Sequence, residues 1–488
     1  MNGGALWSRV RGSLALLRPG SFDLATSEGR SGERYRRAAL ASSASGVARV
    51  LAVATLFITI RIVNDETSSE SFGLWLLLVT SVTLVGFADL GIGNGLLNVV
   101  ADAQGRDDHE FTREAVASAF FALTGLALAL GLLFALIYPH VSWASLYNVT
   151  GSAADEAGPA TLAFVVCTLI SLPLGIAQRV NHAYQRGWIA NLWQALGSLL
   201  SLIGVLVAAG AGAGTPVLVA AMLAGPPLAY LVDSAVLFLW SRRDLCPRLG
   251  AATVAAGRRV LSQGVLFFVL ATVVAVSYES DTLVIAHFLG VDQVELYAVP
   301  FRLFALAPAV TVILLAPLWP AYGEAVSRRD LDWVHRTLRR SVLLGAVSTA
   351  IPSLVLIPLV LPIIDIWLGG GVHPPMSVIV GMAAWATMNG IGTALAMFAN
   401  GTGTLRLQVA VALAMGASNL VLSIVLVRAW GIAGPIWATV ITQVVFGLVP
   451  AWFLMRRLFR RDCEPEEFLR YLERWSDMKP PEPVMVGE

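Results

Sequence analysis

Twelve runs of about twenty or more apolar residues follow one another along the chain, at about 40–63, 73–99, 115–138, 159–178, 190–210, 217–240, 260–288, 296–322, 341–362, 376–399, 407–427 and 433–455. Short polar connections separate them. Each run is continuous and as long as the roughly 20 residues a helix needs to cross the hydrocarbon core. Barrel strands would be about ten residues long, with alternating polarity. The pattern therefore predicts an all-α polytopic membrane protein with twelve transmembrane helices.

Composition sharpens this. The 488 residues are 57% hydrophobic and 13% charged, with a mean hydropathy of +0.73, against roughly 45–50% and about 25% in a soluble protein. A soluble enzyme is excluded, and little chain remains for an extramembrane catalytic domain. The formal charge of +1 points to no nucleic-acid partner. Cys167, Cys246 and Cys463 are odd in number and widely spaced, so they indicate neither a disulfide framework nor a metal site. His182 and His287 have no companion at metal-ligand spacing. Near the start, Arg9, Arg11 and Arg18 interrupt any apolar core, unlike the unbroken stretch of a cleavable signal, so the N-terminus is expected to be retained.

Basic residues set the orientation. The connections 64–72, 139–158, 211–216, 289–295 and 363–375 contain no Arg or Lys, whereas the alternate connections and both terminal stretches carry all but four of the 33. By the positive-inside rule the basic side, with both termini, is cytoplasmic. The four exceptions are Arg49 and Arg302 within runs, and Arg61 and Arg428 at outer ends, where a long side chain can snorkel.

The chain also repeats. Shifted by 222 residues, 72–111 aligns with 294–333: Trp75 meets Tyr297, Asp102-Ala103 meets Glu324-Ala325, Arg106 meets Arg328, Asp108 meets Asp330 and Phe111 meets Trp333. Runs 1–3 then fall on runs 7–9. The chain reads as two six-helix lobes, 39–245 and 246–456, between cytoplasmic tails 1–38 and 457–488. Six crossings per lobe bring both in from the same side, a parallel repeat about an axis along the membrane normal. Helix breakers in partner runs point to a binding site: Gly91, Gly93 and Gly95 in run 2, and Pro300, Pro308, Pro317 and Pro320 in run 8.

Ionisable groups at membrane depth mark a site or a buried pair. At about 1.5 Å per residue, Arg49 and Asp89 share an inner level, and Arg302 shares an outer level with Glu279 and Asp281. Two layers are expected, Arg49 with Asp89 and Arg302 with Glu279 or Asp281; static pairing and substrate binding are both open. Asp233, Asp365 and the histidines are read as packing or interface residues, and 178–186 either as a headgroup site at the cytoplasmic surface or as an ordinary charged loop. Residues 18–34 are expected to be disordered, and 464–478 to form an amphipathic helix that lies on the inner interface or docks a partner.

The stretches Phe72-Gly73-Leu74-Trp75, Asp89 through Asn98 (including Asn94), Tyr184-Gln185-Arg186-Gly187 and Gly431 through Gln443 resemble the polysaccharide (O-antigen unit-type) flippases. These belong to the multidrug/oligosaccharidyl-lipid/polysaccharide (MOP) superfamily, which also contains the multidrug MATE exporters. The resemblance implies two lobes around a cationic cavity that carries an undecaprenyl-diphosphate-linked oligosaccharide across the bacterial inner membrane by alternating access. It implies that Arg49 and Arg302 contact the diphosphate; Asp89, Glu279, Asp281, Asn94 and Asn98 join them as candidate substrate-binding residues on the reading of the residues themselves. No cofactor or catalytic residue is implied; H+ or Na+ is open as a coupling ion. Implied partners are the lipid-linked substrate, membrane lipids and a polysaccharide polymerase. Two other classes remain: a MATE-like exporter of amphipathic cations, which needs an acidic cavity, and a membrane-embedded polymerase or ligase. The latter needs a larger outer loop than 139–158.

Overall fold

The structure, a computed structural model, describes residues 26–81, 88–290, 293–368, 372–451 and 453. The expected amphipathic helix at 464–478 and Cys463 lie outside them. The described residues form α-helices joined by short turns: α1 (Ser27–Glu66), α2 (Ser69–Thr80), α3 (Ile92–Gly105), α4 (His109–Ile137), α5 (Trp143–Tyr147), α6 (Gly151–Leu174), α7 (Ile176–Ala183), α8 (Gly187–Gly210), α9 (Thr215–Ala235), α10 (Val254–Leu289), α11 (Val294–Phe304), α12 (Leu306–Leu315), α13 (Leu318–Ser327), α14 (Leu331–Leu368), α15 (Met376–Thr402), α16 (Leu405–Trp430) and α17 (Ala433–Thr442). Eleven described helical spans are long and apolar enough to cross a membrane. The remaining expected crossing, 73–99, is described as the shorter α2 and α3, with 82–87 between them outside the described residues. The chain is a multi-pass, all-helical membrane protein.

Among the described residues runs 6 and 12 pass into π-helical turns at Val236–Ser241 and Gln443–Leu448, and runs 2, 4 and 8 are broken. In run 2 the chain turns at Leu90 and Gly91, both left-handed (φ 50° and 74°), a conformation that glycine adopts freely and leucine does not. Run 4 breaks at Gly175, after Pro173, into α6 and α7. Run 8 breaks near its prolines into α11, α12 and α13, as expected where a ring removes a backbone donor.

Residues 27–34, expected to be disordered, are instead the start of α1. The Thr26 hydroxyl caps the helix by accepting from the Gly29 amide at 3.0 Å, and the Glu33 carboxylate holds Arg36 and Arg37 one turn on, each at 2.8 Å. Capping and spaced ion pairs stabilise helix where composition alone reads as coil.

The chain divides into two compact units, 1–265 and 266–488, with the boundary inside α10. In the first, Val63, Leu74, Trp75 and Leu78 pack with Ala157, Val205 and Leu218. In the second, Ile285, Tyr297, Phe304 and Ile364 pack with Met382, Trp385 and Ile436. The 222-residue repeat is visible in these cores: Val63 and Ile285 are both fully buried, and Trp75 and Tyr297 are buried at matching positions. It is visible at helix ends too. Arg106 pairs with Asp102 at 2.6 Å in one unit, and Arg328 with Glu324 at 2.8 Å in the other.

Small residues allow close helix crossings. A Cβ at Gly95 on α3 would collide with the Val260 carbonyl and lie 2.7 Å from the Gly264 nitrogen on α10. Arg259, one residue before Val260, also reaches Asp102 at 2.9 Å.

Candidate functional site

Arg49 lies in the middle of α1, beside the exposed Val50 and Val53. Arg302 is in the last turn of α11. Both are exposed, and among the described residues neither has a hydrogen-bond or ion-pair partner. Arg49 and Arg302 are thus guanidiniums within apolar runs that meet no counter-charge among the described residues, an arrangement costing about 3 kcal/mol at the bilayer centre unless water or an anion reaches it. A guanidinium can grip phosphate or carboxylate through two parallel N–H bonds.

The expected pairing of Arg49 with Asp89 does not form. Asp89 is not on a helix but in the turn before α3, and its carboxylate turns back to accept from the Gly91 amide at 2.8 Å and the Gly93 amide at 3.2 Å. A short carboxylate two residues before a helix satisfies amides that have no intrahelical partner, which is why Asp89 faces its own backbone. A different arginine approaches it. Arg179 donates through Nη1 to Asn94 Oδ1 at 3.0 Å, and its Nε and the Asp89 Oδ2 each lie 2.8 Å from where a Cβ on Gly93 would stand. A side chain at 93 would make one of the two give way.

Arg179 belongs to α7, not to a loop, and the orientation of α7 is fixed from its other side. Gln178 and Asn181, three residues apart, donate to the buried Asp233 carboxylate on α9 at 3.1 and 3.0 Å. The network runs Asp233, Gln178 and Asn181, Arg179, Asn94, and it joins three of the expected crossings. The sequence signal for it was an amide pair at i, i+3 opposite an acid within an apolar run. Asn98, on the same helix as Asn94, is buried.

Of the two partners expected for Arg302, Asp281 is engaged elsewhere. Asp281 is 3% exposed and does not meet Arg302. Its carboxylate accepts from three hydroxyls: Tyr297 Oη at 2.9 Å, Ser423 Oγ at 3.0 Å and Thr439 Oγ1 at 3.0 Å. Asn419 donates to Thr439 Oγ1 at 2.7 Å, closing the cluster. Neutral donors surround the acid, which stands on α10, because α11, α16 and α17 bring the hydroxyls of Tyr297, Ser423 and Thr439 to this level. A cavity of about 50 Å³ lined by Ser277, Asn419, Thr439 and Gln443 adjoins it. The side chain of Glu279 lies outside the described residues.

In the connection after α9, Arg242 holds Asp244 at 2.7 Å and keeps its carboxyl below the usual range. Burial pushes the Tyr184 phenol up, and the Arg242 guanidinium lies 4.7 Å from its ring centre. Among the described residues no His, Cys, Asp and Glu group is arranged to hold a metal ion.

No protein-family profile matches the chain. Among curated proteins it is similar to a proposed O-antigen export protein of Yersinia pseudotuberculosis, 22% identical over 65% of this chain and 72% of that one. It is also similar to a proposed O-antigen transporter of Salmonella typhimurium, 20% identical over 63% of this chain and 70% of that one. Among solved structures it matches an outward-facing multidrug MATE transporter of the MOP superfamily, with a TM-score of 0.72, 14% identity and coverage of 91% and 97%. A MOP superfamily transporter from Pyrococcus furiosus matches with a TM-score of 0.70, 13% identity and coverage of 87% and 96%. The fold is that of the MATE and MOP transporters.

Proposed function

We propose that this chain is a transporter that carries an undecaprenyl-diphosphate-linked oligosaccharide from the cytoplasmic to the outer leaflet of a bacterial inner membrane by alternating access, for cell-surface polysaccharide assembly. The observation that carries the reading is the uncompensated guanidinium in each unit, at Arg49 and Arg302. A diphosphate is a ligand whose charge and geometry match such groups. Similarity to O-antigen transporters supports the same substrate class, and a MOP fold supports carriage over catalysis. In this reading Asn94 and Asn98 contribute hydrogen bonds, both termini are cytoplasmic, and a polysaccharide polymerase consumes the delivered units.

Export of amphipathic cations by a MATE-like route is disfavoured by the state of the acids. Asp233 and Asp281 are buried and spend their oxygens on neutral donors, and Asp89 caps a helix. The test is the leaflet distribution of undecaprenyl-diphosphate-linked sugars in cells lacking the protein. Accumulation in the cytoplasmic leaflet, relieved by the wild-type chain and not by Arg49→Ala or Arg302→Ala, is expected. Unchanged lipid pools with altered efflux of cationic dyes would overturn the reading.

A further inference from the structure

The two faces of α14 differ in kind. On one, Thr337, Ser341, Gly345, Thr349 and Ser353 recur every fourth residue and are buried. The crossing with α15 is so close that a Cβ on Gly345 would collide with the Gly390 carbonyl, the small-residue packing usual between membrane helices. The opposite face is covered by none of the described residues. Leu343, Leu344, Val347, Ile351, Leu354 and Val355 are exposed along it, and at its cytoplasmic end Arg336, Arg339 and Arg340 are exposed as well.

These three arginines stand at i, i+3 and i+4, so their guanidiniums project from one patch. Among the described residues none of them has a hydrogen-bond or ion-pair partner. The one acid on the same face, Asp332, is a turn further toward the cytoplasm and forms no ion pair with Arg336. The internal repeat shows that this is not a general demand of the fold. Shifted by 222 residues, Arg336, Arg339 and Arg340 become Glu114, Ala117 and Ser118 on α4. There the face is covered by the chain's own backbone: Ser118 donates to the Thr253 carbonyl at 3.1 Å and accepts from its amide at 3.0 Å, and the Thr253 hydroxyl donates to Glu114 at 2.9 Å.

We propose that the Arg336, Arg339 and Arg340 patch binds the headgroup of an anionic phospholipid of the cytoplasmic leaflet, whose acyl chain lies along the exposed Leu343, Leu344 and Val347. Charge complementarity selects the headgroup, since phosphate oxygens take the guanidinium donors that the protein leaves unused. Continuity of the basic patch with an apolar face selects a lipid over a soluble anion. The lipid covers in the second unit the face that protein covers in the first.

The experiment places the full chain in phosphatidylcholine bilayers with a trace of spin-labelled phosphatidylglycerol or spin-labelled phosphatidylcholine, and compares the motionally restricted fractions. The wild-type chain holds phosphatidylglycerol preferentially, each arginine contributing up to about five-fold. The triple variant R336Q/R339Q/R340Q loses the preference, whereas R186Q/R248Q/R258Q, with the same net charge, keeps it. Preference retained by the first variant, or lost equally in both, would overturn the proposal. A photo-crosslinking residue at Leu343 of the otherwise unchanged chain gives an independent readout. It is expected to capture lipid, and capture of the chain's own 456–488 segment, acidic at Asp462, Glu464, Glu466 and Glu467, would assign the patch to that segment instead.

Discussion

Arg49 and Arg302 give up nothing inside the protein when they are removed, because no described residue uses their donors. Arg49→Ala and Arg302→Ala are therefore expected to leave thermal stability in detergent within about 0.5 kcal/mol of wild type. Each lowers transport by about 10- to 100-fold, the value of one charge-assisted hydrogen bond. Lysine restores part of the activity but not the two-pronged grip. Asp233 behaves oppositely. Asp233→Ala strands the buried amide of Asn181 and the half-buried amide of Gln178 and is expected to cost about 1–3 kcal/mol, read as a lowered melting temperature. That these charges lay at membrane depth was legible from the hydropathy of their runs. Their partners were not, because depth along a helix says nothing of rotation about it, and each residue turns the side chain by about 100°. Asp89 and Asp281 thus shared levels with Arg49 and Arg302 and still faced elsewhere, one to its own backbone and one to three hydroxyls.

The runs themselves were legible as elements because twenty or more continuous apolar residues have few other uses. The breaks were harder to place. Glycines and prolines marked runs 2 and 8, yet Gly175 in run 4 passed as one more small residue, and only the structure shows α7 set off as a separate helix carrying Arg179. The polar start of α1 was misread because its helix is held by a cap and ion pairs, not by an apolar face. At this scale the α3 crossing with α10 makes a sharp prediction. Gly95→Leu forces side-chain atoms into the backbone of Val260 and Gly264 and is expected to destabilise by about 1–3 kcal/mol or prevent accumulation. Gly125→Ala, on α4 with open space around it, is expected to be neutral or to stabilise by about 0.5–1 kcal/mol. Thermal melting of the two variants side by side checks both.

At the scale of the whole molecule, the 222-residue repeat read from the sequence joins positions that keep both burial and ion pairing: Val63 with Ile285, and Asp102 and Arg106 with Glu324 and Arg328. The two guanidiniums within apolar runs do not repeat: Arg49 aligns with Ala271 and Arg302 with Thr80. The distribution of basic residues predicts which side each connection occupies. In a cysteine-free background, Ser152→Cys is expected to react with a membrane-impermeant thiol reagent in intact cells, and Gly250→Cys only after permeabilisation; the reverse pattern would invert the topology. Transport itself gives the most direct test of the central claim, that unpaired guanidiniums in a MOP fold carry a diphosphate-linked lipid. The purified chain would be reconstituted in vesicles holding an undecaprenyl-diphosphate-linked oligosaccharide in one leaflet, and arrival in the other followed with a sugar-modifying enzyme confined to that side. The account predicts transfer by the wild type, transfer reduced about 10- to 100-fold in each single arginine variant, and none above protein-free vesicles in R49A/R302A. Transfer by the double variant at the wild-type rate would contradict it.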